Sequence, residues 1–215
     1  RDYGRYDRDD RGGRYMSRSR SYSFDRRDDR RGRRYDDMPP PAPARTEPVK
    51  FVKLAKEFTP TMSVEETNAF LNEHTIKIDS REKIIPAATF EELELDEKIL
   101  NSIHSINWDK PSPIQAVSIP VAFRGHDLIG IAKTGSGKTG AFLIPAFVHI
   151  LNQEPMLAGD GPIVLVLSPT RELAQQIAQN ANDFGVPLRI RTTCCFGGAG
   201  RGPQLQELRS SPQIV

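Results

Sequence analysis

The sequence predicts an α/β fold, a parallel sheet with helices on both faces, preceded by a disordered tail. Short runs rich in branched apolar residues alternate with helical patterns between residues 127 and 196, which is typical of βαβ units. The first 35 residues hold all 5 tyrosines and 13 of the 21 arginines, but no lysine. Such a segment buries too little apolar surface to offset the entropy of ordering it, and this predicts the tail.

The charge is divided in the same way. Residues 1–37 carry 13 arginines against 9 aspartates, a net +4, whereas the whole chain has a net charge of +2. The remainder is therefore slightly acidic, so nucleic-acid binding there needs individually placed groups, while the tail can bind phosphates diffusely. The alternative for the tail is a solubilising role. Candidate phosphorylation sites that would weaken RNA contacts are Ser17, Ser19, Ser21 and Ser23.

Composition and pattern divide the chain into four segments. They are a disordered tail at 1–37, a Pro-rich linker at 38–48, an N-terminal extension at 49–89 and a partial α/β domain at 90–215. Within the extension, Ser63 followed by Glu66 predicts the cap of a helix.

The domain itself begins with two predicted helices. Apolar residues at helical spacing after Phe90 predict the first, of roughly 10 to 14 residues, and the second runs from Pro113 to Gly125. Three buried strands are then expected at 127–132, 163–168 and 189–196, with helices at about 138–151 and 171–184 between them, and a fourth strand begins at "PQIV".

Cysteine usage indicates a reducing, intracellular compartment. Cys194 and Cys195 are adjacent in an apolar run, which suits neither a disulfide framework nor a metal site, so we predict two buried strand residues. The four histidines lack ligand spacing, and we assign them no metal. No run approaches the roughly 20 apolar residues of a membrane span, so we expect no membrane partner.

The stretch "AKTGSGKT", residues 132–139, follows a predicted strand and opens a predicted helix. Glycines in such a loop let several N–H groups point at one phosphate, the lysine reaches the β and γ phosphates, and the threonine hydroxyl ligates Mg²⁺. This predicts a triphosphate site formed by Thr134, Gly135, Ser136, Gly137, Lys138 and Thr139, with Lys138 and Thr139 catalytic. The alternative is a glycine-rich turn with an incidental lysine. A guanine-reading Asn-Lys-x-Asp is absent from the sequence, which disfavours a GTPase.

Together with "PSPIQ" at 111–115, "PTRELA" at 169–174 and "GG" at 197–198, this loop resembles the DEAD-box RNA helicases. The resemblance covers Phe90 to Val215, and the Arg/Gly/Tyr/Ser-rich tail resembles the branch that acts in splicing and ribosome biogenesis. It implies a RecA-like first helicase domain that is truncated at its C-terminal side. It also implies ATP and Mg²⁺ as cofactors, RNA as a partner, and local duplex unwinding or RNP remodelling coupled to ATP hydrolysis.

The same resemblance assigns the adenine site. The family's Q motif corresponds to Asn107–Gln115, and its isolated aromatic, 17 positions upstream of Asn107, is Phe90. Gln115 would bond the adenine edge and Phe90 would stack on the ring. An amide offers a donor and an acceptor together, which matches the N6 and N7 of adenine. Taken alone, Phe90 is equally a core aromatic and Gln115 a surface glutamine.

For RNA, the resemblance assigns Pro169, Thr170, Arg171, Gly197 and Gly198. Thr170 and Arg171 follow a strand and open a helix, where N–H groups and a guanidinium can bind phosphate. The glycines allow close approach of a sugar-phosphate chain. The alternatives are a helix-capping Thr170, a solvated Arg171 and an ordinary glycine turn.

Hydrolysis in this family needs an acidic pair at a strand end, and no visible strand ends that way. We therefore expect a fragment of a full-length helicase that binds nucleotide weakly, does not turn it over, and is poorly stable because its sheet has unpaired edges. The alternative is a non-catalytic RNA-binding or scaffold protein. We expect protein partners in an RNP and leave the oligomeric state open. The tail favours the nucleus, with the cytoplasm as the alternative.

Overall fold

The computed structural model describes residues 52–54, 56, 59–157 and 159–215. These residues fall within one compact unit, Pro40–Val215. The predicted tail at 1–37 and linker at 38–48 lie outside the described residues. The described helices are α1 Val64–Glu73, a 3-10 helix Glu91–Leu93, α2 Glu97–Ser105, α3 Pro113–Phe123, α4 Lys138–Leu151, α5 Arg171–Gly185 and α6 Arg201–Arg209.

Helix α1, in the N-terminal extension, begins at the predicted cap. The Glu66 carboxylate accepts a hydrogen bond from the Ser63 N–H at 2.7 Å, and Ser63 Oγ accepts one from the Glu66 N–H at 3.1 Å. This reciprocal pair is a capping box and confirms the prediction. Because the Ser63 N–H, followed by its hydroxyl, bonds the charged carboxylate, the pKa of Glu66 lies below its ordinary value of 4.5.

The single helix predicted after Phe90 is divided into two elements. The 3-10 helix ends at Glu94, whose φ of 47° lies in the left-handed region. Helix α2 then starts anew because the Asp96 carboxylate accepts a hydrogen bond from the Lys98 N–H at 2.8 Å. Leu93 and Leu95, on either side of Glu94, are both buried.

The core is formed where α3 packs against α4, and where α2 and α5 pack against each other and against α4. The rings of Phe147 and Phe184 lie 5.7 Å apart at its centre. Ser102 Oγ donates a 2.7 Å hydrogen bond to the carbonyl oxygen of Phe184 and so joins α2 to α5. Both residues are buried, and the contact therefore fixes the relative placement of the two helices.

Helices α3, α4 and α5 lie where they were predicted. The two longest described helices are α5, with 15 residues, and α4, with 14. No helix in the described part of the chain combines the length and apolar character needed to cross a membrane. Helix α6 was not predicted, because it buries none of its residues and has no apolar face that the sequence would reveal.

Three extended segments pair in parallel, with the last one in the middle. Ile214 forms parallel bridges to Val164 on one side and to Thr192 on the other. The Val215 N–H donates to the Val164 carbonyl at 3.0 Å, and the Thr193 N–H donates to the Ile214 carbonyl at 2.9 Å. The segment beginning at "PQIV" is therefore inserted between the other two, as a parallel sheet with crossover helices permits.

The predicted strand at 127–132 forms no bridge with another segment of the described residues. Ile129 and Ile131 are each 94% exposed, and Leu167 of the strand predicted at 163–168 is 83% exposed. The prediction that these side chains are buried is wrong for this structure. A parallel strand is buried only when neighbouring strands and helices cover both its faces, and here that cover is missing.

Candidate functional site

The loop between segment 127–132 and α4 is shaped to receive an anion. Gly137, the residue before α4, has a φ of 90°, a conformation that glycine adopts without steric cost. Helix α4 has no side-chain cap, so the N–H groups of its first turn and the positive end of its dipole face the loop. A phosphate group fits such a site.

Polar side chains of the loop support the same ligand. Lys138 Nζ donates to the carbonyl oxygens of Ala132 at 2.5 Å and Lys133 at 2.7 Å, which holds the ammonium against the loop. Ser136 Oγ is buried and has no hydrogen-bond partner among the described residues. A buried unpaired hydroxyl is costly, and a phosphate oxygen is an acceptor that would satisfy it. The predicted residues Thr134, Gly135 and Thr139 lie in the same loop and helix start.

Gln115 links this loop to α3. Its side chain is only 2% exposed. Its Oε1 accepts from the Ser112 N–H at 2.9 Å, and its Nε2 donates to the Gly137 carbonyl oxygen at 3.0 Å. An amide has two donor hydrogens and two acceptor lone pairs, so one of each remains for another partner. Recognition of adenine by Gln115 stays a prediction, which requires those remaining positions to become accessible.

The sequence did not single out Trp108 and Gly140 as site residues. A Cβ atom on Gly140 would lie 2.1 Å from Trp108 Cζ3 and 2.5 Å from Gln115 Nε2. The Trp108 ring also meets Phe184 edge-on, with 5.1 Å between centroids. Trp108 and Gln115 therefore both pack against α4 at Gly140. A glycine interrupting a helical pattern is the signal that would have indicated this close approach.

Phe90 is buried in the core and is not exposed at the phosphate-binding loop. Its relative exposure is 0%, and it belongs to the apolar core together with Phe123 and Phe147. A ring enclosed in this way must become exposed before a nucleotide base can stack on it. The structure thus gives Phe90 the core position that was the alternative, and adenine stacking by this residue stays a prediction.

The structure brings the two predicted RNA motifs together. Thr170 Oγ1 accepts from the Leu173 N–H at 3.3 Å, so Thr170 caps α5. The Arg171 guanidinium lies over the ring of Phe196, 4.3 Å from its centroid. Phe196 directly precedes Gly197 and Gly198, both exposed, and Pro169 is exposed as well. Phe196, an aromatic at a strand end before two glycines, was missed by the sequence analysis.

The cysteines differ from their prediction. Cys194 is half-buried but Cys195 is exposed, because successive side chains of an extended segment point to opposite faces. Partial loss of solvent raises the pKa of both thiols, the adjacent Cys195 raises the pKa of Cys194, and the nearby Glu207 raises both pKa values further. Neither is therefore an activated thiolate. Among the residues that the structure describes, no group of three or more His, Cys, Asp or Glu side chains could hold a metal ion.

Known proteins match the region that carries these features. The family model "DEAD/DEAH box helicase" matches residues 112–215. DEAD-box ATP-dependent RNA helicase 20 of Oryza sativa subsp. japonica is 47% identical over 155 residues, which cover 72% of this chain and 31% of the relative. ATP-dependent RNA helicase DBP2 of Debaryomyces hansenii is 45% identical over 153 residues, covering 71% and 28%. The chain spans less than a third of the length of these curated relatives.

A solved structure agrees with the predicted fold. The crystal structure of the RNA helicase Prp28 from Chaetomium thermophilum bound to ADP is similar over 75% of this chain and 39% of that chain, with a TM-score of 0.66 and 35% identity. The α/β domain is therefore RecA-like. The matched region, residues 112–215, belongs to the DEAD/DEAH box helicase family.

Proposed function

We propose that this chain is the nucleotide-binding and first RNA-binding part of an ATP-dependent RNA helicase. In the full-length protein it would couple ATP hydrolysis to local duplex unwinding or RNP remodelling. The observation that carries this proposal is the hydrogen bond from Gln115 Nε2 to the Gly137 carbonyl oxygen. It places an amide suited to adenine beside a loop suited to phosphates, and a ligand with both parts is a nucleoside triphosphate.

Each part of the triphosphate has a partner in the loop. The first-turn N–H groups of α4 and the Ser136 hydroxyl would bond phosphate oxygens, and Lys138 would exchange its carbonyl partners for the β and γ phosphates. The Thr139 hydroxyl, next in the helix, would ligate Mg²⁺. When bound, Mg²⁺ withdraws negative charge from the phosphoryl oxygens.

The RNA side of the proposal rests on Arg171 and the loop after Phe196. A guanidinium held over an aromatic ring keeps its edge N–H groups for phosphate. Gly197 and Gly198 are exposed, and a Cβ atom at either would meet no other atom within 4 Å, so a sugar-phosphate chain can approach the backbone there. Phosphate contacts of this kind position RNA without reading its sequence.

Hydrolysis also needs paired carboxylates at a strand end. The described extended segments end in Ser168 and Phe196, which cannot fill that role. We place the carboxylates in the part of the relatives' length that this sequence does not span. Turnover is then a property of the full-length protein, while residues 1–215 alone bind nucleotide weakly and do not hydrolyse it.

The composition of the tail, residues 1–37, supports our proposals on RNA contacts, localisation and protein partners. Its arginines and tyrosines favour contacts with single-stranded RNA through charge and stacking. Its Ser-Arg repeats favour the nucleus and protein partners within an RNP. Fluorescence imaging of the full-length protein with and without residues 1–37 tests the localisation. A nuclear signal that is independent of this segment would remove its support.

The decisive experiment measures RNA-stimulated ATPase activity of the full-length protein. Lys138→Ala should lower the rate at least about a hundredfold, as loss of a charge-stabilising group does, and should leave RNA binding in place. Lys98→Ala, an exposed lysine on α2, is the matched control. A wild-type protein whose ATPase is not stimulated by RNA would contradict the enzyme and favour a scaffold.

A further inference from the structure

We propose that Gln204 is a positioning residue for RNA binding, which acts through Phe196 on Arg171 and on the loop 196–200. The inference deepens the proposed function and rests on it, because it concerns how the RNA surface is held in shape. Neither Gln204 nor Phe196 belongs to the motifs predicted to bind RNA.

Gln204 lies on α6 and reaches back to the start of the loop. Its Oε1 accepts from the Phe196 N–H at 2.9 Å, and its Nε2 donates to the Phe196 carbonyl oxygen at 3.2 Å. Nε2 also donates to the Gly200 carbonyl oxygen at 3.3 Å. One amide therefore satisfies both backbone groups of Phe196 and bonds both ends of the five-residue loop.

The loop that Gln204 closes has little else to hold it. A Cβ atom placed on Gly197 or Gly198 would have no atom within 4 Å. Gly198 has a φ of 81°, a conformation that an unrestrained chain leaves readily. A loop with few contacts opens at low cost unless a specific interaction holds it. We therefore assign its shape to the amide of Gln204.

The position of Phe196 in turn determines that of Arg171. The guanidinium carbon lies 4.3 Å from the centroid of the Phe196 ring, within the range of a cation–π contact. Arg171 is exposed and has several rotatable bonds, so without the ring its guanidinium would sample many positions. Gln204, Phe196 and Arg171 thus form a series of contacts that brings one cation beside two open glycines.

This arrangement takes a phosphodiester backbone rather than a base. The groups that it presents are a guanidinium edge and backbone N–H groups, which bond phosphate oxygens. The described loop contributes one aromatic ring, and Arg171 covers a face of that ring. The surface therefore binds single-stranded RNA by its backbone, and Gln204 affects affinity without affecting sequence preference.

The test compares Gln204→Met with Gln206→Met in the full-length protein. Gln206 lies on the same helix and is exposed, so its variant makes the same chemical change away from the loop. Affinity for a fluorescein-labelled oligouridylate is measured by anisotropy, and affinity for a fluorescent ATP analogue is measured in the same preparation. Gln204→Met should raise the Kd for RNA about tenfold, the factor that corresponds to 1.4 kcal/mol. The Kd of Gln204→Met for nucleotide should change less than about twofold, which corresponds to under 0.5 kcal/mol. The same limit should hold for the Kd values of Gln206→Met for RNA and for nucleotide.

A second variant, Phe196→Leu, removes the ring but keeps an apolar side chain. The slope of log Kd against log salt should fall by about 0.7, the value for one phosphate contact to a single strand. A general loss of folding would not produce that change in slope alone.

Two results would overturn the inference while leaving the proposed function intact. One is equal RNA affinity of Gln204→Met and Gln206→Met, and the other is an equal loss of RNA and nucleotide affinity in Gln204→Met, which would mean simple destabilisation. A wild-type protein that binds nucleotide but no RNA would instead contradict the proposed function itself.

Discussion

Gln115 donates a 3.0 Å hydrogen bond from its Nε2 to the carbonyl oxygen of Gly137. The residue predicted to read the base is thus bonded to the loop predicted to hold the phosphates. Because Gln115 is almost fully buried, this contact cannot be replaced by water without a rearrangement. Adenine recognition and phosphate binding are therefore expected to respond together to changes at Gln115.

Gln115→Glu should weaken ATP binding. A carboxylate cannot donate to the Gly137 carbonyl, and it would place a buried negative charge beside that oxygen. The loss of a buried hydrogen bond costs about 1–3 kcal/mol, so we expect at least about a fivefold higher Kd, measured by titration with a fluorescent ATP analogue. Gln176→Glu, an exposed position on α5, adds the same charge and serves as the control. An unchanged Kd would show that the contact is not used.

Gly140→Ala should destabilise the fold. The new methyl group would lie 2.1 Å from Trp108 Cζ3, and overpacking of this kind costs about 1–3 kcal/mol. Urea unfolding followed by the fluorescence of Trp108, the only tryptophan of the chain, measures the change. Gly202→Ala is the control, since a Cβ atom there would have no atom within 4 Å and alanine favours a helix. Equal midpoints for the two variants would contradict the close packing.

Ser102→Ala should lower the stability by about 1–3 kcal/mol, because it leaves the buried Phe184 carbonyl without its donor. Ser105→Ala is a matched control. Ser105 Oγ also donates to a carbonyl oxygen, that of Ser102, at 2.7 Å, but Ser105 is exposed, so water can replace the bond. Differential scanning fluorimetry of both variants should therefore show the larger decrease in Tm for Ser102→Ala. The reverse order would mean that α2 and α5 are held together in another way.

The capping box of α1 should make its helical order depend on pH. The pKa of Glu66 is lower in the folded chain than its ordinary value of 4.5. The stabilisation is then fully present above 4.5 and is lost as the pH falls through the folded pKa. Amide exchange in α1 should accordingly speed up relative to α4 below pH 4.5. Glu66→Gln should abolish this pH response, whereas Glu65→Gln, which leaves the bonds to Ser63 in place, should retain it. A response that persists in Glu66→Gln would assign it to another group.

Local patterns were sufficient to predict much of this fold. The cap at Ser63 and the starts of α4 and α5 depend on a few neighbouring residues, and those residues are visible in the sequence. The phosphate loop was predicted for the same reason, since its glycines and Lys138 are consecutive.

Features that depend on distant contacts could not be predicted. Phe90 belongs to the same apolar core as residues of α3 and α4, and its neighbours in the sequence do not reveal this burial. Gln204 and Phe196 are eight residues apart, with a turn between them, and their bonds follow from how α6 folds back. The exposure of Ile129 and Ile131 depends on which strands lie beside segment 127–132, a property of the assembled sheet.

The hold of Lys138 on the carbonyl oxygens of Ala132 and Lys133 has a consequence for selectivity. These two carbonyl oxygens compete with the ligand for the ammonium group, because an anion must displace them before it can bind Lys138. A singly charged anion with one contact gains too little to do so, whereas a polyphosphate also engages the α4 N–H groups. Free chloride should therefore inhibit nucleotide binding only weakly, and the loop discriminates by the number of phosphates that its ligand presents together.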